Sequence, residues 1–210
     1  MRSKPFLHAL SFFLVLGFCW ISIACWDAPV AIHCSSLDKK VSLAFEVIAS
    51  FGYSTYYLIG LFVVMLIFKF VYKSNYYALV ALFLFLAIAS SGLAADALKF
   101  ILGRSRPRLL IRENLFCFQP FQIESDMTSF PSGHASTITS LMLALYYFYP
   151  KYKYLYVAAA VLVAGSRVVI AAHYLSDVVF GAYLALVITP LLKSRFEKAG
   201  YRIFGSSALP

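Results

Sequence analysis

Six long apolar runs dominate this chain, at about residues 6–26, 51–71, 76–98, 133–150, 154–171 and 174–192. Crossing the hydrocarbon of a bilayer takes roughly 20 apolar residues at about 1.5 Å per residue in a helix. The last two runs form one apolar block of 39 residues, Tyr154 to Leu192. As a single helix it would extend about 58 Å, roughly twice the hydrocarbon thickness, so it must break. The most polar interruption, His173-Tyr174-Leu175-Ser176-Asp177, is where the turn belongs. Composition agrees: 62% of residues are hydrophobic and 13% charged, against roughly 45–50% and about 25% in soluble domains. The expected architecture is all-α, an integral membrane bundle of six transmembrane helices in one domain spanning residues 1–210. A short interfacial helix is expected over 38–50. The basic stretch Arg2 to Lys4 before the first run resembles the start of a signal peptide, but the run is long enough to span and no small-x-small cleavage site follows, so it reads as a retained helix.

In a soluble chain the net charge of +9 would suggest a nucleic-acid partner. Here the basic residues report orientation instead. With both termini cytoplasmic, Arg2, Lys4, Lys69, Lys73, Lys151, Lys153 and the tail after Lys193 lie inside. Eight basic residues fall on the opposite side against ten inside. Six of the eight (Lys99, Arg104, Arg106, Arg108, Arg112 and Arg167) gather at helix ends bordering one loop and one turn. An outward basic cluster of this kind calls for an anionic substrate. The cysteines have no metal-ligand spacing. Cys34 and Cys117 fall on the same outward side, where an oxidising compartment would permit a disulfide.

Three clusters share that side, within residues 99–177. In the first, KFILGRSRP, Lys99 and Arg106 are seven residues apart, one face of a helix that Pro107 would end. Alone, the pair reads better as snorkelling boundary anchors. In the second, SFPSGHASTITS, Ser132 can cap the following helix and Gly133 admits a ligand close to the backbone. Free N–H groups at that helix start favour an anion, to which His134 could donate a proton. In the third, SRVVIAAHYLSD, His173 and Asp177 are spaced to meet on one helical face. A carboxylate on one imidazole nitrogen leaves the other free as a nucleophile. Arg167 has no acid beside it in its apolar run, so an anionic ligand is its natural partner. Charge clamps, a nucleophile and an acid for the leaving group are what phosphoryl transfer requires.

Lys-x6-Arg-Pro, Pro-Ser-Gly-His and Ser-Arg-x5-His-x3-Asp, in this order and without substitution, resemble the three motifs of the type 2 phosphatidic acid phosphatase superfamily, which also includes vanadium haloperoxidases. The resemblance spans roughly residues 76–192. It implies that His173 is the nucleophile and forms a phosphohistidine, that Asp177 orients it, and that His134 protonates the leaving oxygen. It also implies that Lys99, Arg106, Arg167, Ser132 and the Gly133 backbone bind the phosphate, with no metal or other cofactor. Vanadate is then an expected inhibitor. Asp96, one turn before Lys99, is expected to pair with a local cation.

Haloperoxidase members resemble soluble proteins, so six spans favour a membrane lipid phosphate as substrate. In a bacterium this places the chain in the inner membrane with its pocket facing the periplasm. The segment 108–130 would meet the head group, and its FQPF context is similar to bacterial lipid A 4'-phosphatases. Undecaprenyl pyrophosphate, phosphatidylglycerophosphate and phosphatidic acid fit the same motifs. Two rival readings are a transporter or binder of phosphorylated anions using the same basic pocket, and a metal site of His134, His173 and Asp177. The first leaves the His173–Asp177 pair without a purpose. In the second, the neighbouring cations would repel the metal.

Overall fold

The structure is a computed structural model that describes residues 4–204. Arg2, the side chain of Lys4 and the end of the 193–210 tail lie outside the described residues. Nine α-helices are present among them: α1 (Lys4–Cys25), α2 (Asp27–Ser35), α3 (Lys39–Ser50), α4 (Ser54–Leu66), α5 (Asn75–Leu102), α6 (Pro107–Glu113), α7 (Gly133–Phe148), α8 (Lys153–Val169) and α9 (Leu175–Lys198). There is no strand in the described part, only an isolated bridge between Arg104 and Phe118.

Among the described residues, five stretches are long and apolar enough to cross a membrane: Phe6–Cys25, Lys39–Val71, Asn75–Leu102, Pro150–Val169 and Leu175–Lys198. The fourth expected span, 133–150, folds as α7, but its 16 residues reach only about 24 Å, short of a hydrocarbon core of about 30 Å. Its position explains its length. It packs against α5, α8 and α9, and every residue from Ala135 to Leu141 is buried. A helix walled by protein can carry Ser136, Thr137, Thr139 and Ser140 because none of them faces lipid. The expected second span begins later than residue 51: α3 covers most of 38–50, a turn follows, and α4 starts at Ser54.

Helix α5 shows the packing logic. Ala81, Leu84, Ile88, Ser91 and Ala95 are all buried, and steps of three and four residues align them as one stripe. Small residues let helices approach closely, and polar ones link them. The Ser140 hydroxyl of α7 donates to the Ser91 hydroxyl of α5 at 2.7 Å. At the end of the bundle away from Lys99, Phe83 packs edge-on against Phe196 and Phe204. Helix α1 leans on α9, where Cys19 joins Phe130 and Phe180.

Candidate active site

The first motif departs from the expected geometry. Helix α5 ends at Leu102 because Gly103 takes the left-handed conformation, φ 56°, and closes it by donating its N–H to the Lys99 carbonyl at 2.9 Å. Lys99 and Arg106 therefore do not share a helix face. Pro107 starts α6 at its first turn, the helical position that tolerates a missing N–H. The 103–106 loop is instead tied to the second motif's approach, through Ser129 N–H to the Arg104 carbonyl at 2.9 Å and Arg106 N–H to the Asp126 carbonyl at 2.7 Å.

Glycines bring the motifs together. A Cβ on Gly133 would lie 3.2 Å from the Lys99 ammonium, so the bare backbone lets the first motif's cation reach the start of α7. A Cβ on Gly181 of α9 would overlap the Ser132 carbonyl. The same contact is secured by Ser132 N–H donating to the Asp177 carbonyl at 2.9 Å. Ser132 is the N-cap of α7, its hydroxyl accepting from the Ala135 N–H at 3.4 Å. The first N–H groups of α7, including that of Gly133, have no partner within the helix. Gly52, in the turn before α4, leaves room for the His134 ring, whose Cδ2 would be 2.7 Å from an added Cβ. Tyr53 meets that ring edge-on at 4.7 Å between centroids. His134, Lys99 and Gly133 line a cavity of about 180 Å³ with Tyr53, Gly92 and Thr137.

The third motif supplies the buried side. His173 occupies the turn between α8 and α9 and is 3% exposed. Its Nδ1 lies 3.5 Å from Asp177 Oδ2, the outer limit of a hydrogen bond. With Nδ1–H turned to the carboxylate, the lone pair resides on Nε2; the tautomer is inferred from this partner. Burial, with Arg106 and Arg167 nearby, outweighs Asp177 and brings the His173 pKa down to about 4. The imidazole is thus neutral at physiological pH. His134 lies within electrostatic reach of Arg167, His173, Lys99 and Arg106. Its buried Nε2 has no partner among the described residues. Lys99 pairs with Asp96 at 2.8 Å, as expected for that carboxylate. Arg106 and Arg167 have no carboxylate within ion-pair distance among the described residues, and their Nε atoms are buried without a partner. Burial, with Arg108 adding to it, depresses the Arg106 pKa.

All eight residues singled out from the sequence thus belong to one connected neighbourhood. The sequence reading missed a second layer behind it. Arg104, fully buried, contacts Asp177 Oδ1 at 2.5 Å and Asp27 Oδ2 at 2.8 Å. Its guanidinium lies 4.2 Å from the Tyr174 ring centroid, with Phe116 and Phe118 slightly further. Part of the 108–130 segment assigned to a head group therefore cages an arginine, whereas Phe121 and Ile123 remain exposed. Asp27, an acid directly behind an apolar run, was the available signal. Among the described residues no three His, Cys, Asp or Glu side chains are grouped to hold a metal, and all four cysteines are unpaired, Cys34 and Cys117 included.

Residues 80–201 match the PAP2 superfamily. The chain is 30% identical over 189 residues to the lipid A 1-phosphatase of Rhizobium johnstonii, covering 83% of this chain and 77% of that one. It is 29% identical to the lipid A 1-phosphatase of Rhizobium etli over 83% and 81% of the two chains. The fold matches the crystal structure of a transmembrane PAP2-type phosphatidylglycerolphosphate phosphatase from Bacillus subtilis, with a TM-score of 0.64 and 21% identity, covering 96% of this chain and 99% of that one. The chain belongs to the PAP2 superfamily, and it is an integral membrane protein of that phosphatase family.

Proposed function

We propose that this protein is a metal-independent lipid phosphatase that removes a phosphate from lipid A through a phosphohistidine intermediate. The observation carrying this reading is the meeting of a neutral, carboxylate-backed His173 with two arginines, Arg106 and Arg167, that have no acid of their own. His173 Nε2 attacks the phosphorus while the bond to the lipid oxygen breaks. His134 Nε2 protonates that oxygen as it leaves. Water then gives a proton to His134 Nε2 as it attacks the phosphohistidine, releasing phosphate and restoring both imidazoles to their starting states. Lys99, Arg106, Arg167, Ser132 and the Gly133 N–H hold the equatorial oxygens, where preorganised donors stabilise the transition state most. Asp177 keeps Nδ1 protonated and offsets the positive charge that develops on the ring.

Lipid A is favoured over other lipid phosphates by the named activity of the two rhizobial relatives. Their names also favour its 1-phosphate over the 4'-phosphate suggested by the FQPF context. In this reading the chain is one six-span unit, with α7 as the short central span and the pocket on the periplasmic face of a bacterial inner membrane. A transporter would use the cations but has no need of an oriented imidazole.

The test offers purified protein lipid A, phosphatidylglycerophosphate, undecaprenyl pyrophosphate and phosphatidic acid in detergent with EDTA, and measures released phosphate. We expect turnover of lipid A at its 1-position, insensitive to the chelator, blocked by vanadate and abolished in His173→Ala. Absence of release from every lipid overturns the phosphatase reading. Loss of turnover on chelation overturns the metal-free mechanism.

A further inference from the structure

The matched family region begins at residue 80, yet the carboxylate behind the nucleophile is held partly from outside it. Asp27 opens α2, directly after the first apolar helix, and is 1% exposed. Its Oδ2 takes one arm of Arg104 at 2.8 Å, while the other arm takes Asp177 Oδ1 at 2.5 Å. Ser176 ties the ends together: its hydroxyl donates to Asp27 Oδ2, receives Arg104 Nη1 at 2.7 Å, and its N–H donates to Asp27 Oδ1 at 3.1 Å. Ser22 of α1 donates to Asp27 Oδ1 at 2.6 Å. The remaining Asp177 oxygen accepts from Ser129 Oγ at 2.5 Å and from Tyr174 N–H at 2.8 Å, and faces His173 Nδ1.

We propose that Asp27 is a positioning residue for the His173–Asp177 pair, acting through Arg104 and Ser176; the proposal rests on the phosphatase reading above. The physical reason is charge balance among groups sealed from solvent, since Asp27, Arg104 and Asp177 are all buried. Arg104 alone would neutralise Asp177, leaving nothing to offset the cationic ring that forms when His173 is phosphorylated. Asp27 takes up half of the guanidinium fork, so the Asp27–Arg104–Asp177 chain retains one negative charge, delivered at His173 Nδ1. It also holds Arg104 on the carboxylate side. Asp177, which lies within electrostatic reach of Arg106, is thereby kept from drawing that cation away from the phosphate. An interaction that matters only as charge develops changes kcat rather than binding.

The test compares wild type with Asp27→Asn, which keeps the shape and removes the charge, and with Ser176→Ala, a smaller change to the same link. Each is assayed for lipid phosphate turnover and for binding of inorganic phosphate, read as product inhibition in detergent. We expect Asp27→Asn to lower kcat by roughly 10- to 100-fold, the range seen when supporting partners of reactive groups are removed, with KM and inorganic phosphate affinity within about twofold of wild type. Ser176→Ala should show the same split with a smaller drop, and it decides the matter should Asp27→Asn not fold. Unchanged kcat in both variants overturns the proposal. So does parallel loss of kcat and inorganic phosphate binding, which would mark a purely structural role. A wild-type protein that releases no phosphate from any lipid fails the phosphatase reading instead, a result visible before any variant is made.

Discussion

Arg104 and Arg106 are two residues apart, and the fold uses them in opposite ways. Arg104 is sealed among Tyr174, Phe116 and two carboxylates. Burial works against its charge, but Asp177 and Asp27 more than compensate, and its pKa is raised. Arg106 is half-buried with no acid in contact, so its pKa is lowered. Arg167 shares that lack of a carboxylate. A buried cation that already has two counter-ions is structural glue. In the proposed function, one that lacks any is a receptor for an anion that arrives from outside. On that reading the difference teaches that, between neighbouring arginines of one basic cluster, the presence or absence of a carboxylate separates a structural role from a substrate-binding one.

The comparison is broken most severely at the paired member. Arg104→Met leaves Asp27 and Asp177 buried without their cation, and removing one partner of a buried pair costs about 3–5 kcal/mol. A thermal-unfolding measurement in detergent should show a markedly lower midpoint; an unchanged midpoint would mean the two carboxylates do not depend on Arg104. Replacing an unpaired member should do the reverse. Arg106→Gln and Arg167→Gln each should cost about 10²- to 10³-fold in kcat/KM, the loss typical of one transition-state donor, while the unfolding midpoint stays at or above wild type. A lowered midpoint with near-normal turnover would reverse the assignment.

The smallest effect sharpens the comparison through His173, which faces the unpaired cations directly and the paired one only through Asp177. Its pKa is lowered to about 4, so the neutral form is complete above that value and is lost only as pH falls through it. An NMR titration of the ring, assigned by the signal missing in His173→Ala, should show little protonation at pH 5, where an imidazole with an ordinary pKa near 6.5 would be almost wholly charged. A midpoint near 6.5 would show that the ring is better solvated than its 3% exposure implies.

The long apolar runs and the three motifs were readable directly, because lipid and phosphate each demand residue types in local patterns. α5, α8 and α9 lie close to where hydropathy puts them, and His173 and Asp177 are four residues apart in any helix. Elsewhere local spacing misled. Lys99 and Arg106 fit one helical face on paper, but Gly103 ends α5 between them, and their convergence depends on loop bonds such as Ser129 to Arg104. Residues 133–150 are apolar enough to resemble a lipid-facing span, yet α7 is short and walled by other helices. The small helix α2 was not anticipated at all. Its nine residues carry too weak a periodic signal to stand out between two apolar runs.

From the sequence alone follow an all-helical membrane protein and a set of eight residues suited to phosphate chemistry, since hydropathy and motif spacing are properties of neighbours along the chain. Which cations stay free was decided only by tertiary structure. Asp27 and Asp177 are 150 residues apart, and no local rule connects them. They share Arg104 because α1 packs against α9 and brings α2 to the start of that helix, where burial makes any unpaired charge too costly to leave without a partner.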